Sequence, residues 1–146
     1  MEDDENDVYL IKRALTKVGL NFTLIVATDG QEAIDYLLQA DKKKFPHPNW
    51  IVSDLKMPKV SGLEFLTWLK KSKVQIIPTI MLSSSNQDAD VLKAYQLGVA
   101  SYFCKPTDYQ STIELWKMIC EYWAEVELPA VDADEVARKK SGRQGD

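Results

Sequence analysis

Apolar and polar positions divide the chain into short continuous runs that alternate with periodic segments. Val8, Ile11, Leu15 and Val18 recur at helical spacing and stop at Gly19, which predicts a first helix with a glycine end. Phe22 to Ala27 is continuous, apolar and rich in β-branched residues, the pattern of a strand. Asp29-Gly30 then turns into a short helix carrying Ala33, Ile34, Leu37 and Leu38. Residues 41–49, with three lysines and two prolines, read as a surface loop. The run Trp50 to Asp54 is a short strand ending on a carboxylate, and Pro58 and Gly62 punctuate the loop after it. Leu63, Phe65, Leu66 and Leu69 mark the next helix. Ile76 to Leu82 reads as a buried strand that stops at Ser83-Ser84-Ser85. A helix from Asp88 to Leu97 ends at Gly98, and Ser101 to Cys104 is a brief strand closed by Lys105-Pro106. A long last helix covers Asp108 to Glu125. Strands alternate with helices, and the strands are near-continuous apolar runs. That combination predicts an α/β fold, a parallel sheet with helices on both faces.

Length and composition add boundaries to this picture. A chain of 146 residues fits one domain, expected over 1–128, followed by a polar tail at 129–146 expected to be disordered. The net charge of −4 argues against non-specific nucleic-acid binding, which needs a basic surface. No apolar run approaches the roughly 20 residues of a membrane span, and no signal peptide is visible, so a soluble, cytoplasmic protein is expected. Cys104 and Cys120 make neither a disulfide framework nor a metal cluster. Cys104, in an apolar run, is expected as a buried inert thiol, and His47 as a solvated loop side chain.

The candidate chemistry lies where the strands end. Ligands of open parallel sheets gather at the carboxyl ends of the strands, and three strands end there on Asp54, Ser83 and Lys105. Each alone has an ordinary reading as a helix cap, a loop or punctuation. Together they place a carboxylate, a hydroxyl and a cation around one point, and Glu2 to Asp7 adds an acidic cluster. Phosphoryl transfer requires such a set. Carboxylates hold Mg²⁺ through oxygen, the metal and an ammonium neutralise phosphoryl charge, and a hydroxyl donates to a phosphoryl oxygen.

Glu2-Asp3-Asp4-Glu5-Asn6-Asp7-Val8, Asp54-Leu-Lys-Met-Pro58 with Ser61-Gly62, Ser83-Ser84-Ser85 and Tyr102-Phe-Cys-Lys105-Pro106 together resemble the CheY-like receiver domains of response regulators. The resemblance covers residues 1 to 128 and implies a flavodoxin-like, doubly wound five-stranded parallel sheet of order 2-1-3-4-5. It implies a two-component phosphorelay protein that takes a phosphoryl group from a sensor histidine kinase onto Asp54, with Lys105 and Ser83 assisting. Glu2, Asp3, Asp54 and the Lys56 backbone carbonyl would hold Mg²⁺. Ser83 and Tyr102 would form the switch, and the Lys105–Pro106 bond would be cis. The loop insertion 42–49, the ending 122–129 and a short form without an output domain look like stand-alone regulators of bacterial phytochrome-type histidine kinases. A phosphorylation-independent adaptor is the alternative.

Two departures qualify the resemblance. Receivers begin with an apolar strand ahead of the acidic pair, and this sequence opens on Met1-Glu2. Either the sequence is cut short, which is the expectation, or another segment or chain fills the place. Lys56 and Ser85 stand two positions beyond the acceptor and the switch hydroxyl. Neither orients water well, which predicts slow self-dephosphorylation. The last helix carries two apolar stripes: Ile113, Trp116, Cys120 and Trp123 on one face, and Leu115, Met118, Tyr122 and Val126 on another. A wide buried face and a homodimer interface both account for the second stripe. An aspartyl-phosphate hydrolase would need an acid at Lys56. A flavodoxin-like cofactor would be repelled by Glu2 to Asp7.

Overall fold

A computed structural model describes residues 1–41, 44–74 and 76–128. The tail expected at 129–146 lies outside the described residues. Helices and strands follow in the order α1 (Glu5–Val18), α2 (Gly30–Asp41), β1 (Ile51–Ser53), α3 (Gly62–Lys71), β2 (Thr79–Ser83), α4 (Asp88–Gln96), β3 (Ser101–Cys104) and α5 (Tyr109–Glu125). The strands pair in parallel in the order β1-β2-β3, with Ser53 opposite Met81 and Ser83 opposite Cys104. Because all three run the same way, their polar ends share one edge.

The apolar periodicity explains which faces close on the sheet. Ala33, Ile34 and Leu37 of α2 and Phe65 of α3 bury themselves with Ile51 on one face. Ala14 of α1 and Trp116 and Cys120 of α5 cover Leu82 on the other. β2 lies between its neighbours and is buried along its whole length. It begins at Thr79 rather than Ile76, which is 78% exposed. Pro78 has no N–H to pair, although its carbonyl accepts from Ile51 N–H at 2.9 Å.

Local signals set the helix ends. Gly19, at φ 70°, closes α1 in the left-handed conformation that glycine tolerates. Ser61 and Glu64 form a capping box at the start of α3, a device that stabilises a helix by about 1 kcal/mol. Gly62 then approaches the loop after β1 so closely that a Cβ would collide with the Asp54 carbonyl. Its N–H donates to Leu55 O at 2.9 Å, fixing the loop that carries Asp54.

Phe22 to Ala27, expected as a strand, joins no ladder in this structure. Phe22, Leu24, Ile25 and Val26 are each 36% exposed or more. The reason is non-local. A cavity of about 520 Å³ separates this run from Trp50-Ile51-Val52, where the resemblance places the central first strand. Ile11, Leu15 and Trp116 line one face of that cavity, and Ala33, Tyr36 and Leu37 line the other. Only its upper end is bridged by Met1 and Glu2: Glu2 N–H donates to Ala27 O and Asp54 N–H to Met1 O, both at 3.0 Å. Three of the five implied strands are therefore paired among the described residues.

Three smaller expectations change. Cys104 is exposed, because it is the last residue of β3, an edge strand of the sheet. His47 is half-buried and lines the cavity. No peptide bond among the described residues is cis, so Lys105–Pro106 is trans.

Candidate functional site

Each predicted residue reaches the shared edge on its own element. Asp54 follows β1 and Lys105 follows β3, and Lys105 N–H donates to Ser83 O at 2.8 Å, keeping the two strand ends in step. The Lys105 ammonium stands at the centre of the group. Its Nζ donates to Asp54 Oδ2 at 2.8 Å, to Glu2 Oε2 at 2.7 Å and to Asp7 Oδ2 at 2.7 Å. Asp54 is held by its other oxygen as well, since Oδ1 accepts from Leu55 N–H at 2.5 Å.

Charge in this group is settled by burial against pairing. Burial works against the Lys105 ammonium, but the hydrogen bonds it donates to Asp54, Asp7 and Glu2 outweigh it and hold the pKa above the ordinary lysine value. Burial raises the Glu2 carboxyl above its usual range, and Lys105 partly offsets that. The Glu2 side chain is 7% exposed and that of Asp54 12%, so water screens little of this cluster.

The acidic opening of the chain divides into distinct jobs. Asp4 caps α1 by accepting from Asn6 N–H at 2.7 Å and Asp7 N–H at 3.2 Å. Carboxylate oxygens of Glu2, Asp3 and Asp54 lie within 4.8 Å of one another. An all-oxygen set of this kind fits a hard divalent cation. Lys56 is exposed in the loop immediately after Asp54, which is where the resemblance uses its carbonyl.

Ser83 and Tyr102 are brought to the edge but turn to their own loop. Ser83 is 2% exposed, and its Oγ accepts from Ser85 N–H at 3.2 Å. Tyr102 donates its hydroxyl to Ser85 O at 2.7 Å, and burial raises its pKa. Ser85 Oγ donates to Asp90 Oδ2 at 2.5 Å. Asp7 joins this group without any signal in the sequence that places it there. An acid in the first turn of a helix normally reads as a partner of the helix dipole, and nothing local ties it to a lysine 98 residues away.

Residues 1–117 match the family described as response regulator receiver domain. The chain is 33% identical over 124 residues to the probable methanogenesis regulatory protein FilR2 of Methanothrix harundinacea, covering 84% of this chain and 80% of that protein. It is 32% identical over 133 residues to the response regulator Rcp1 of Synechocystis, covering 89% and 90%. The structure of Rcp1 in its Mn²⁺-bound form superposes with a TM-score of 0.80 over 89% of this chain and 96% of that one. The phosphorylated cyanobacterial phytochrome response regulator RcpA gives a TM-score of 0.78 at 31% identity, over 89% and 95%. Lysine-centred carboxylates at the edge of a parallel sheet and these likenesses agree: the chain belongs to the response regulator receiver domain family, the switching component of two-component signalling.

Proposed function

We propose that Asp54 is the phosphoryl acceptor of this receiver. The observation that carries the reading is the Lys105 ammonium 2.8 Å from Asp54 Oδ2 at the carboxyl edge of the sheet. A sensor histidine kinase presents a phosphohistidine in line with the Asp54 carboxylate. An Asp54 oxygen forms the new O–P bond as the N–P bond breaks, and the imidazole nitrogen keeps the bonding pair. Lys105 then pairs with a phosphoryl oxygen, and Ser83 turns its hydroxyl from its own loop to another. Tyr102 follows into the space Ser83 leaves, and the surface of α4, β3 and α5 shifts with it. Glu2, Asp3, Asp54 and the Lys56 carbonyl would hold Mg²⁺, which when bound would supply positive charge to offset the phosphoryl oxygens. The test is labelling of the intact chain by a small phosphodonor such as phosphoramidate, with the modified residue located by mass spectrometry.

Slow self-dephosphorylation belongs to the same reading. The Lys56 side chain is exposed, and the Ser85 hydroxyl is already committed to Asp90. Neither is an acid or amide of the kind that orients an attacking water. Phospho-Asp54 is expected to persist for minutes or longer, and decay within seconds contradicts this.

The likeness to Rcp1 and to the phytochrome response regulator RcpA supports a phytochrome-type kinase as the phosphodonor. Phosphotransfer profiling against purified sensor kinases tests that assignment. A homodimer through α5 is supported by its second stripe. Met118 is 48% and Tyr122 62% exposed, whereas Trp116 and Cys120 face the core. A wide buried face therefore does not account for these two residues. Light scattering is expected to report a dimer that Tyr122→Glu dissociates, and a parent monomer at high concentration argues against it.

A further inference from the structure

An ammonium has three N–H donors, and those of Lys105 go to three carboxylates: Asp54, Glu2 and Asp7. Two of these have other work. Asp54 is the acceptor in the reading above, and Glu2 lies in the oxygen cluster with Asp3 and Asp54. Asp7 lies outside that cluster and serves the lysine alone. Its role as a helix-dipole partner would not bring its Oδ2 to 2.7 Å from Nζ, and Asp4 already caps α1.

We propose that Asp7 is a positioning residue that holds Lys105 over Asp54 and must release it when a phosphoryl group arrives, so that its charge sets how readily the site accepts an anion. This rests on Asp54 being the acceptor. A phosphoryl group on Asp54 brings oxygens that need N–H donors, and the ammonium has none to spare. Exposure decides which partner yields. The Asp7 side chain is 37% exposed and is solvated on release, whereas water reaches little of the Glu2 side chain, 7% exposed, which lies in the oxygen cluster. While it remains in place, the Asp7 charge also repels the incoming anion.

The test compares the parent, Asp7→Asn and Asp7→Glu for binding of beryllofluoride, a phosphoryl mimic, and for the labelling rate with phosphoramidate, both with Mg²⁺ present. Asparagine keeps an oxygen that accepts from Lys105 but removes the charge. Asp7→Asn is expected to bind beryllofluoride about five- to tenfold more tightly and to label faster. Asp7→Glu is expected to return towards the parent. A gain of affinity is not the signature of structural damage. If the parent binds and Asp7→Asn binds equally or less tightly, the role of Asp7 is refuted by itself. If the parent neither binds nor labels, the Asp54 reading fails and this inference falls with it.

Discussion

Asp54→Asn is expected to reduce labelling by a small phosphodonor by roughly a hundredfold or more, to background. A carboxamide has the shape of the carboxylate but neither its charge nor its nucleophilic oxygen. The surrounding structure should survive the change. Lys105 keeps Glu2 and Asp7 at 2.7 Å, and the amide oxygen can still accept from Leu55 N–H. Three carboxylates around one ammonium carry an excess of negative charge. Removing one lowers their mutual repulsion, so the melting temperature of the variant should equal or exceed that of the parent. Lost labelling with retained melting locates the defect in chemistry. Full labelling of Asp54→Asn would refute the assignment, and lost labelling with a collapsed melting transition would show that Asp54 is needed for the fold instead.

The second large effect concerns the cavity beside β1. An extended segment of about five apolar, β-branched residues joined ahead of Met1 is expected to raise stability by about 3–5 kcal/mol, or more than 10 °C in melting temperature. Such a segment would lie between Phe22–Ala27 and Trp50–Val52, offering backbone partners to both sides and side chains to both faces of the roughly 520 Å³ cavity. The Met1 amine gives the prediction a second signature. Burial lowers its pKa from 8.0 to about 6, against the pull of Glu2 and Asp54. Between about pH 6 and pH 8 the unfolded chain binds a proton that the folded chain does not. Stability of the chain beginning with a free Met1 amine therefore rises with pH across that window and is lost as pH falls through 6. Extension replaces the amine with an amide, so this part of the pH dependence should disappear. Equal melting temperatures with and without the segment would sink the idea.

The alternative of a phosphorylation-independent adaptor is not favoured. Asp54, Lys105 and Glu2 are in direct contact rather than merely retained in sequence. An adaptor would gain nothing from concentrating this much charge at 7–16% side-chain exposure.

By itself the sequence determined the parts whose causes are local. Apolar runs and periodic stripes set the alternation of strands and helices, because burial on a parallel sheet demands those patterns. Asp54, Ser83 and Lys105 were legible because each is the polar residue that stops an apolar run, and parallel strands bring such residues to one edge. Gly19 marked a helix end for an equally local reason. Tertiary structure alone decided what depends on distant partners. Phe22–Ala27 has the composition of a strand, but a strand needs a neighbour to supply hydrogen bonds, and among the described residues none occupies the adjacent cavity. Cys104 looked buried in its own run and is exposed because β3 is at the edge of the sheet. Asp7 looked like one acid among several. Only the fold brought it to Lys105, because a charge pair between the first turn of α1 and the end of β3 leaves no periodicity or spacing in the chain.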